Sequence, residues 1–191
     1  MKPLFLAVST FGFAAVSLAV SAAHAAGKAP YVPPEKATPH GEAPHARSQL
    51  LSDVNGRRTY ALILKSGDEV FTALSQFARE HQLRAAHFTA IGALRDVELG
   101  WYDLGRRAYK VNPVQGQVEA LSVIGDVGMA SGAPVVHAHV VVGAEDGTTR
   151  GGHLLHAVAS PTLEVFVVEE PAELRKEHDQ DSGLTLFEPA P

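Results

Sequence analysis

The clearest structural signal in the chain is the segment PVVHAHVVVG, residues 134–143. Successive side chains of a β-strand point to opposite faces, so alternate residues share a face. One face of this segment carries only small apolar side chains, which is typical of a face that packs on a core. The other face carries His137 and His139 between Val135 and Val141. The segment therefore predicts a strand with one buried face and two imidazoles on the other.

Further segments predict a sheet around this strand. They are rich in β-branched and aromatic residues and are bounded by glycine or polar turns. Helical patterns do not alternate with them, which argues against a parallel sheet. We predict an α+β fold, a single domain with a central, mostly antiparallel β-sheet of about seven strands and a few flanking helices. The predicted strands are residues 59–65, 84–94, 98–103, 108–111, 118–127, 134–143 and 162–169, with 184–187 as a candidate closing strand.

One segment predicts an amphipathic helix. Apolar residues recur at helical spacing from Val70 to Ala78, so we predict a helix over residues 67–81. Ser66 stands before this segment and Glu69 follows three residues later, which is the pattern of a capping box with Ser66 as the N-cap residue. Residues 173–178 predict a short helical turn near the end of the chain.

The first 25 residues have the pattern of a secretory signal peptide. Lys2 supplies a positive charge, residues 4–20 are mostly apolar, and Ala23 and Ala25 are the small residues of a cleavage site. An uncleaved membrane anchor is the alternative, although the apolar run is near the lower length limit for a span. We expect cleavage after Ala25, no stable membrane span afterwards, and a periplasmic or secreted protein.

The rest of the chain divides into three parts. Residues 26–56 are rich in proline, alanine and histidine and show no apolar period, so we predict a flexible arm. Residues 57–187 contain the predicted strands and the helix and form the domain. Residues 188–191 are a short tail.

Composition limits the chemistry that the chain can perform. It has 191 residues and no cysteine, so a transition metal would have to bind histidine or carboxylate side chains. Its net charge is −5 with histidine neutral. Basic residues cluster only in short groups such as Arg57-Arg58 and Arg106-Arg107. Proteins that bind nucleic-acid phosphates normally carry a basic surface, so we do not expect nucleic acid as a partner.

His153 is the third residue of a candidate metal site. It follows Gly151 and Gly152, and because glycine weakens a strand interior, this pair predicts a bulge or a close backbone approach that orients His153. A hairpin return would bring His153 beside His137 and His139. Three neutral imidazoles with one position left open commonly hold a catalytic zinc. The alternative is a hydrated sheet face followed by an ordinary glycine loop, and the residues leave both interpretations open.

Glu164 is the candidate catalytic residue. It interrupts the apolar strand 162–169, where a carboxylate is usually paired or hydrogen-bonded. It would act as a fourth ligand, as a partner of an imidazole or as a general base. The alternative is a glutamate on an edge strand that faces water. His156 and His87 are interpreted as structural, and the chain has neither a nucleotide-binding glycine motif nor the Gly-x-Ser-x-Gly motif of hydrolases.

Several motifs in order resemble the PPC domain family, the plants and prokaryotes conserved domain. They are IGALRDVELG at 91–100, His137-Ala138-His139, Asp146-Gly147, Gly151-Gly152-His153-Leu154 and Leu163-Glu164-Val165. The resemblance covers residues 57–187 and implies an α+β domain that commonly assembles as a homotrimer. It also implies that His137, His139 and His153 form a metal site near a subunit interface. Plant members join this domain to AT-hook segments that contact DNA, and no Arg-Gly-Arg-Pro hook occurs in this chain.

Two functions are compatible with these observations. The first is an exported PPC-domain protein that binds zinc or another divalent transition metal on three histidines and acts on a small molecule. The second is a non-catalytic oligomeric module that binds a partner protein, or DNA as in the plant relatives. The sequence does not decide whether the protein is an enzyme.

The predicted cleavage site gives a direct test of export. Expressed with its own first 25 residues in a Gram-negative host, the protein is expected in the periplasm with Ala26 as its first residue, as measured by intact mass. Ala25→Leu should block cleavage because signal peptidase requires a small residue at that position. A wild-type protein that keeps residues 1–25 in the membrane fraction would favour the anchor instead.

Overall fold

The computed structural model describes residues 30–37 and 39–188. It is dominated by strands, with one α-helix and one short 3-10 helix, Pro34–Lys36, in that part of the chain. The elements are β1 (Tyr31–Val32), β2 (Arg47–Val54), β3 (Arg57–Lys65), α1 (Val70–Glu80), β4 (Ala85–Asp103), β5 (Ala108–Val114), β6 (Val118–Ala130), β7 (Ala133–Gly143), β8 (Thr149–Glu169), β9 (Arg175–His178) and β10 (Thr185–Glu188).

All ten strands belong to one sheet. Its main path runs β1-β5-β4-β6-β7-β8-β3-β2, and β9 joins β6 and β10. The pairings are antiparallel except for one parallel bridge between Met129 of β6 and Arg175 of β9. The sheet is therefore mixed and has ten strands, where we predicted a mostly antiparallel sheet of about seven, and the α+β class is broadly correct.

Two long strands, β4 and β8, organise this sheet. They pair with each other from Ala86↔Glu169 to Gly100↔His153. On its other side, β4 pairs first with β6 and then with β5, while β8 pairs first with β7 and then with β3. Since β6 also pairs with β7, the strands β4, β6, β7 and β8 form a closed circuit of backbone hydrogen bonds. Their inward side chains and the apolar face of α1 share one core.

Strand β4 bends at a glycine and continues past residue 94, where the first of two predicted strands ends. Gly92 has a φ of +149°, and the register with both β6 and β8 shifts there. A side chain at this position would collide with the backbone of Thr162. Glycine therefore permits a bulge, and one bent strand replaces the two predicted ones.

The N-terminus of α1 differs from the predicted capping box. Glu69 is the N-cap residue, and its carboxylate accepts hydrogen bonds from the amides of Phe71 at 3.2 Å and Thr72 at 2.6 Å. Ser66 therefore does not cap the helix. Glu69 is only 2% exposed, and its Oε1 lies 3.4 Å from Nδ1 of His156 on β8. The helix is thus tied to the sheet by a buried carboxylate.

Two further predictions are corrected by the structure. Residues 175–178, predicted as part of a helical turn, form β9 and pair with β10. Residues 47–54, predicted as part of a flexible arm over 26–56, form β2 and pair with β3. Every residue of β2 is exposed, so this edge strand lacks the apolar alternation by which a buried strand is recognised.

The predicted signal peptide, residues 1–25, lies outside the described residues, as do 26–29 and 189–191. Within the described ranges, no helix has the length and apolar character that a membrane crossing requires.

Replacing Glu69 tests the buried helix cap. Burial by itself would raise the pKa of Glu69, but hydrogen bonds from His156 and Thr72 outweigh it and hold the pKa below 4.5. Glu69→Ala should lower the free energy of unfolding by about 2 kcal/mol, because two helix amides and His156 lose their partner. Urea denaturation measures this, with Glu80→Ala at the exposed end of α1 as the control, expected within about 0.5 kcal/mol of wild type.

The same pair of proteins gives a pH dependence. A carboxylate whose pKa is lowered by folding stabilises the protein above its unfolded-state pKa, and this contribution disappears as pH falls through the folded-state pKa. The contribution of Glu69 should therefore shrink below about pH 4. Because Glu69 also raises the pKa of His156, part of the contribution should disappear as pH rises through the folded-state pKa of His156. Equal effects of Glu69→Ala and Glu80→Ala would contradict this assignment.

Candidate metal centre

The three predicted histidines lie together. His137 and His139 are on β7, and His153 is on β8 directly opposite His139 in the strand pairing. One ligand atom of each imidazole lies within 4.8 Å of the others. The ring centroids are 5.0 Å apart for His137 and His139, 5.2 Å for His137 and His153, and 5.4 Å for His139 and His153. In the described part of the chain, these three histidines are the side chains that lie close enough together to hold a metal ion.

The surroundings of His139 and His153 favour the neutral form of their imidazoles. Burial, together with the neighbouring His137 and His139, lowers the pKa of His153 to about 3. Burial and His137 also lower the pKa of His139. A neutral imidazole keeps a lone pair on one nitrogen, which is the form that binds a metal. His139 and His153 are therefore donors that stay uncharged at neutral pH.

Asp126 orients His137 from the neighbouring strand. It lies on β6 opposite His137, and its Oδ2 accepts a hydrogen bond from Nδ1 of His137 at 3.3 Å. Lys176 of β9 donates to the other carboxylate oxygen. Burial raises the pKa of Asp126, but the bonds from His137 and Lys176 outweigh it and leave the pKa lowered. An ionised carboxylate on Nδ1 leaves Nε2 as the metal-binding atom, as in many histidine metal sites.

His153 is held by an aromatic ring and by its backbone. The ring of Tyr109 on β5 stacks on His153 with centroids 4.5 Å apart. Burial raises the pKa of Tyr109 to about 12, so this phenol is neutral. Gly152 lies so close to β4 that an added Cβ would be 2.8 Å from the carbonyl oxygen of Gly100. The close approach predicted from the glycine pair is present here, whereas the β7–β8 pairing shows no bulge.

The other predicted residues lie elsewhere. Glu164 is exposed on β8, eleven residues beyond His153, and it pairs with Ile63 and Ile91. It does not belong to the histidine cluster, and its catalytic role stays a prediction. His156 is paired with Glu69, and this contact supports its structural interpretation.

Sequence reasoning missed Asp126, Lys176 and Tyr109. Asp126 interrupts an apolar segment, 118–127, in the same way that Glu164 interrupts its strand, and that signal was available. Lys176 and Tyr109 carry no such signal, because only the packing of β9 and β5 brings them to the cluster.

Comparison with known protein families identifies the fold. A family model for the Plants and Prokaryotes Conserved (PCC) domain matches residues 51–171. The chain belongs to this family. The resemblance noted in the sequence is therefore confirmed for the family. Among curated proteins, none matches the chain.

Solved structures resemble this PCC domain over most of their length. A plant- and prokaryote-conserved protein from Pyrococcus horikoshii is 29% identical, with a TM-score of 0.65 over 76% of this chain and 96% of its own. A metal-containing protein from Archaeoglobus fulgidus is 32% identical, with a TM-score of 0.63 over 69% and 93%. A protein from Ralstonia eutropha, provisionally described as DNA-binding, is 27% identical, with a TM-score of 0.66 over 74% and 96%.

The close approach at Gly152 gives a test of how His153 is placed. Gly152→Ala should push β8 away from the Gly100 carbonyl and displace His153 from the other two imidazoles. We expect a clear loss of thermal stability and at least about tenfold weaker zinc binding, comparable to losing a residue that orients a ligand. Gly151→Ala is the matched control, since its Cβ would be 3.1 Å from the Val140 carbonyl oxygen and needs a smaller shift. If Gly152→Ala binds zinc as tightly as the wild-type protein does, the close approach of Gly152 to Gly100 does not position His153.

Proposed function

We propose that this PCC domain binds a divalent transition metal, most readily zinc, through His137, His139 and His153. The observation that carries the proposal is the convergence of three imidazoles, one ligand atom of each within 4.8 Å of the others. The donor chemistry fits, because neutral imidazoles suit zinc and no thiolate is present in the chain. The A. fulgidus relative described as metal-containing supports the same assignment.

The set of three ligands favours a centre that acts on a small molecule. Structural zinc sites are usually filled by four protein ligands, whereas catalytic sites use three and leave one position for water or substrate. A zinc ion held here would polarise a carbonyl group or lower the pKa of a bound water. The residues around it would orient the ligands: Asp126 holds His137, Lys176 holds Asp126, and Tyr109 supports His153. Glu164 has no assigned part in this proposal.

Assembly with other copies of the chain is the second part of the proposal, with a homotrimer as the expected state. Ile91, Ile124 and Phe166 are apolar and at least half exposed on the outer face of the sheet. Ile124 of β6 lies directly opposite His139 of β7. Thr89 of β4 pairs with Ile124 on one side and with Phe166 of β8 on the other. Exposed large apolar side chains grouped on one face favour an interaction site. These side chains border the histidine cluster and are the feature that favours the alternative function, a non-catalytic oligomeric module.

The proposal also includes export of the protein and excludes DNA as its main partner. The apolar segment 4–20 and the small residues at 23 and 25 support export to the periplasm or beyond. The net charge of −5 disfavours DNA binding through phosphates, although one relative carries a provisional DNA-binding description.

Metal content of the purified protein tests the centre. Wild-type protein without a histidine tag should contain about one zinc per chain when loaded and dialysed, measured by plasma mass spectrometry. His137→Ala and His153→Ala should lose it, and Asp126→Asn should bind zinc about 10- to 100-fold more weakly because His137 is no longer oriented. His178→Ala is the matched control on β9, and it should keep the full content.

Two results would contradict the metal centre: full zinc content in His137→Ala and His153→Ala, or equal loss in His178→Ala. Circular dichroism of each variant excludes unfolding as the cause of loss. Sedimentation of the same samples separates the two functions. An assembly that dissociates in His137→Ala would support a structural metal, whereas an unchanged assembly without metal would support the open, ligand-binding centre.

A further inference from the structure

The strands beside the histidine cluster separate and leave a pocket, here called the fork pocket. His139↔His153 is the last pair that β7 forms with β8. From there towards Ala133, β7 pairs only with β6, while β8 continues along β4 and β3. The wedge between them is a cavity of about 620 Å³ that contacts His137 and His153. A larger open depression of about 990 Å³ at residues 115–119 and 143–146 contains no histidine.

Both flanks of the chain contribute walls to the fork pocket. Pro34, Ala37 and Pro39 line it from the N-terminal side, and the segment 184–187 lines it from the C-terminal side. All of these residues lie outside 51–171, the part that the family model matches. The PCC domain therefore contributes two histidines of the cluster to the pocket, and residues on both sides of the matched range 51–171 contribute the outer walls. The ligand of the pocket should be selected by those walls as well as by the cluster.

The pocket has an apolar body. Phe71 of α1, Val136 of β7, and Leu184, Leu186 and Phe187 contribute apolar side chains to its lining. Phe187 also lies over Lys176, with Nζ 4.6 Å from the ring centroid. Small-molecule sites are typically apolar cavities of about 300–1,000 Å³ with a few polar groups that fix orientation. This pocket has that size and character.

The polar groups of the lining leave one cation without a partner. Phe71, Ser75 and Arg79 are spaced four residues apart on α1 and line the pocket from one side of the helix. Lys176 is bonded to Asp126, so these two charges offset each other. Arg79 is exposed, and its guanidinium makes no hydrogen bond or ion pair with a side chain or backbone group in the described part of the chain. With neutral histidines, the lining carries a formal charge of +1 in a protein whose net charge is −5.

We propose that the fork pocket binds a small organic carboxylate with an apolar body. The carboxylate pairs with the guanidinium of Arg79, whose planar fork of donors matches a carboxylate. The apolar body packs between Phe71 and the segment 184–187, and the far end of the ligand lies at the histidine cluster. The inference names a ligand class for the proposed metal centre and in that respect rests on it. The pairing with Arg79 does not require the metal.

Binding of two matched probes tests the proposal. Phenylacetate and phenylacetamide have nearly the same shape, but only the first carries a charge. Isothermal titration calorimetry is run on the purified full chain in zinc-loaded and chelator-treated form. We expect phenylacetate to bind at least about tenfold more tightly than phenylacetamide in both forms, because a hydrogen bond to a charged group is stronger than a neutral one.

Three variants assign the effect to the pocket. Arg79→Gln should remove the preference for phenylacetate and leave the binding of phenylacetamide unchanged. Phe187→Ala should weaken both probes by the same factor, because it removes apolar contact rather than charge. Arg57→Gln is the matched control, since this exposed arginine pairs with Glu170 and lies outside the pocket. Amide shifts in NMR spectra should move at Ser75 and Phe187 and stay fixed at residues 115–119.

The outcomes separate this proposal from the metal centre. Arg79-dependent binding of phenylacetate to the metal-free protein supports the pocket even if the three histidines bind no metal. Binding that needs zinc and ignores Arg79→Gln overturns the pocket while supporting the metal centre. Equal affinities for the two probes, or no binding of either in wild type, overturn the proposal as well.

Discussion

Strand β8 pairs with three partners, and the rest of the structure depends on this constraint. It stays hydrogen-bonded to β4 along most of its length, and on its other side it pairs with β7 near its start and with β3 near its end. The pairing with β7 ends at His153, and the pairing with β3 begins at Thr162. The same exchange that opens a wedge in the sheet therefore places His153 opposite His139. The backbone pairing determines where both features lie, and the histidine cluster is therefore adjacent to the fork pocket.

Two imidazoles of the cluster are kept neutral, and a pair of charged side chains lies beside the third. Burial keeps His153 and His139 neutral, while Asp126 remains ionised because His137 and Lys176 bond to it. Lys176 comes from β9, beyond the part of the chain that the family model matches, and it is almost completely buried. The C-terminal flank thus supports a carboxylate of the PCC domain. This contact links the ligand-orienting residues of the domain to a segment that also forms the pocket wall.

Sequence reasoning predicted the parts of the fold that have a local signal. The strand at 134–143 and the helix around 70–80 were recognised from alternation and helical spacing, and both are present. The edge strand β2 was missed because all of its residues are exposed, and β9 was taken for a turn because its residues are polar. The predicted cap of α1 was three residues too early, since the N-cap is Glu69, whose buried carboxylate bonds to the amides of Phe71 and Thr72 and also contacts His156 on β8.

The sequence by itself determined which side chains share a face. Alternation puts His137 and His139 on the same side of one strand, and the lack of cysteine restricts a transition metal to imidazole and carboxylate ligands. Only the tertiary structure decided that His153 completes the group, that Asp126 orients His137 and that Glu164 lies apart. The physical reason is that side-chain direction follows from local backbone geometry. The register between strands distant in sequence is decided instead by the packing of the whole sheet on its core.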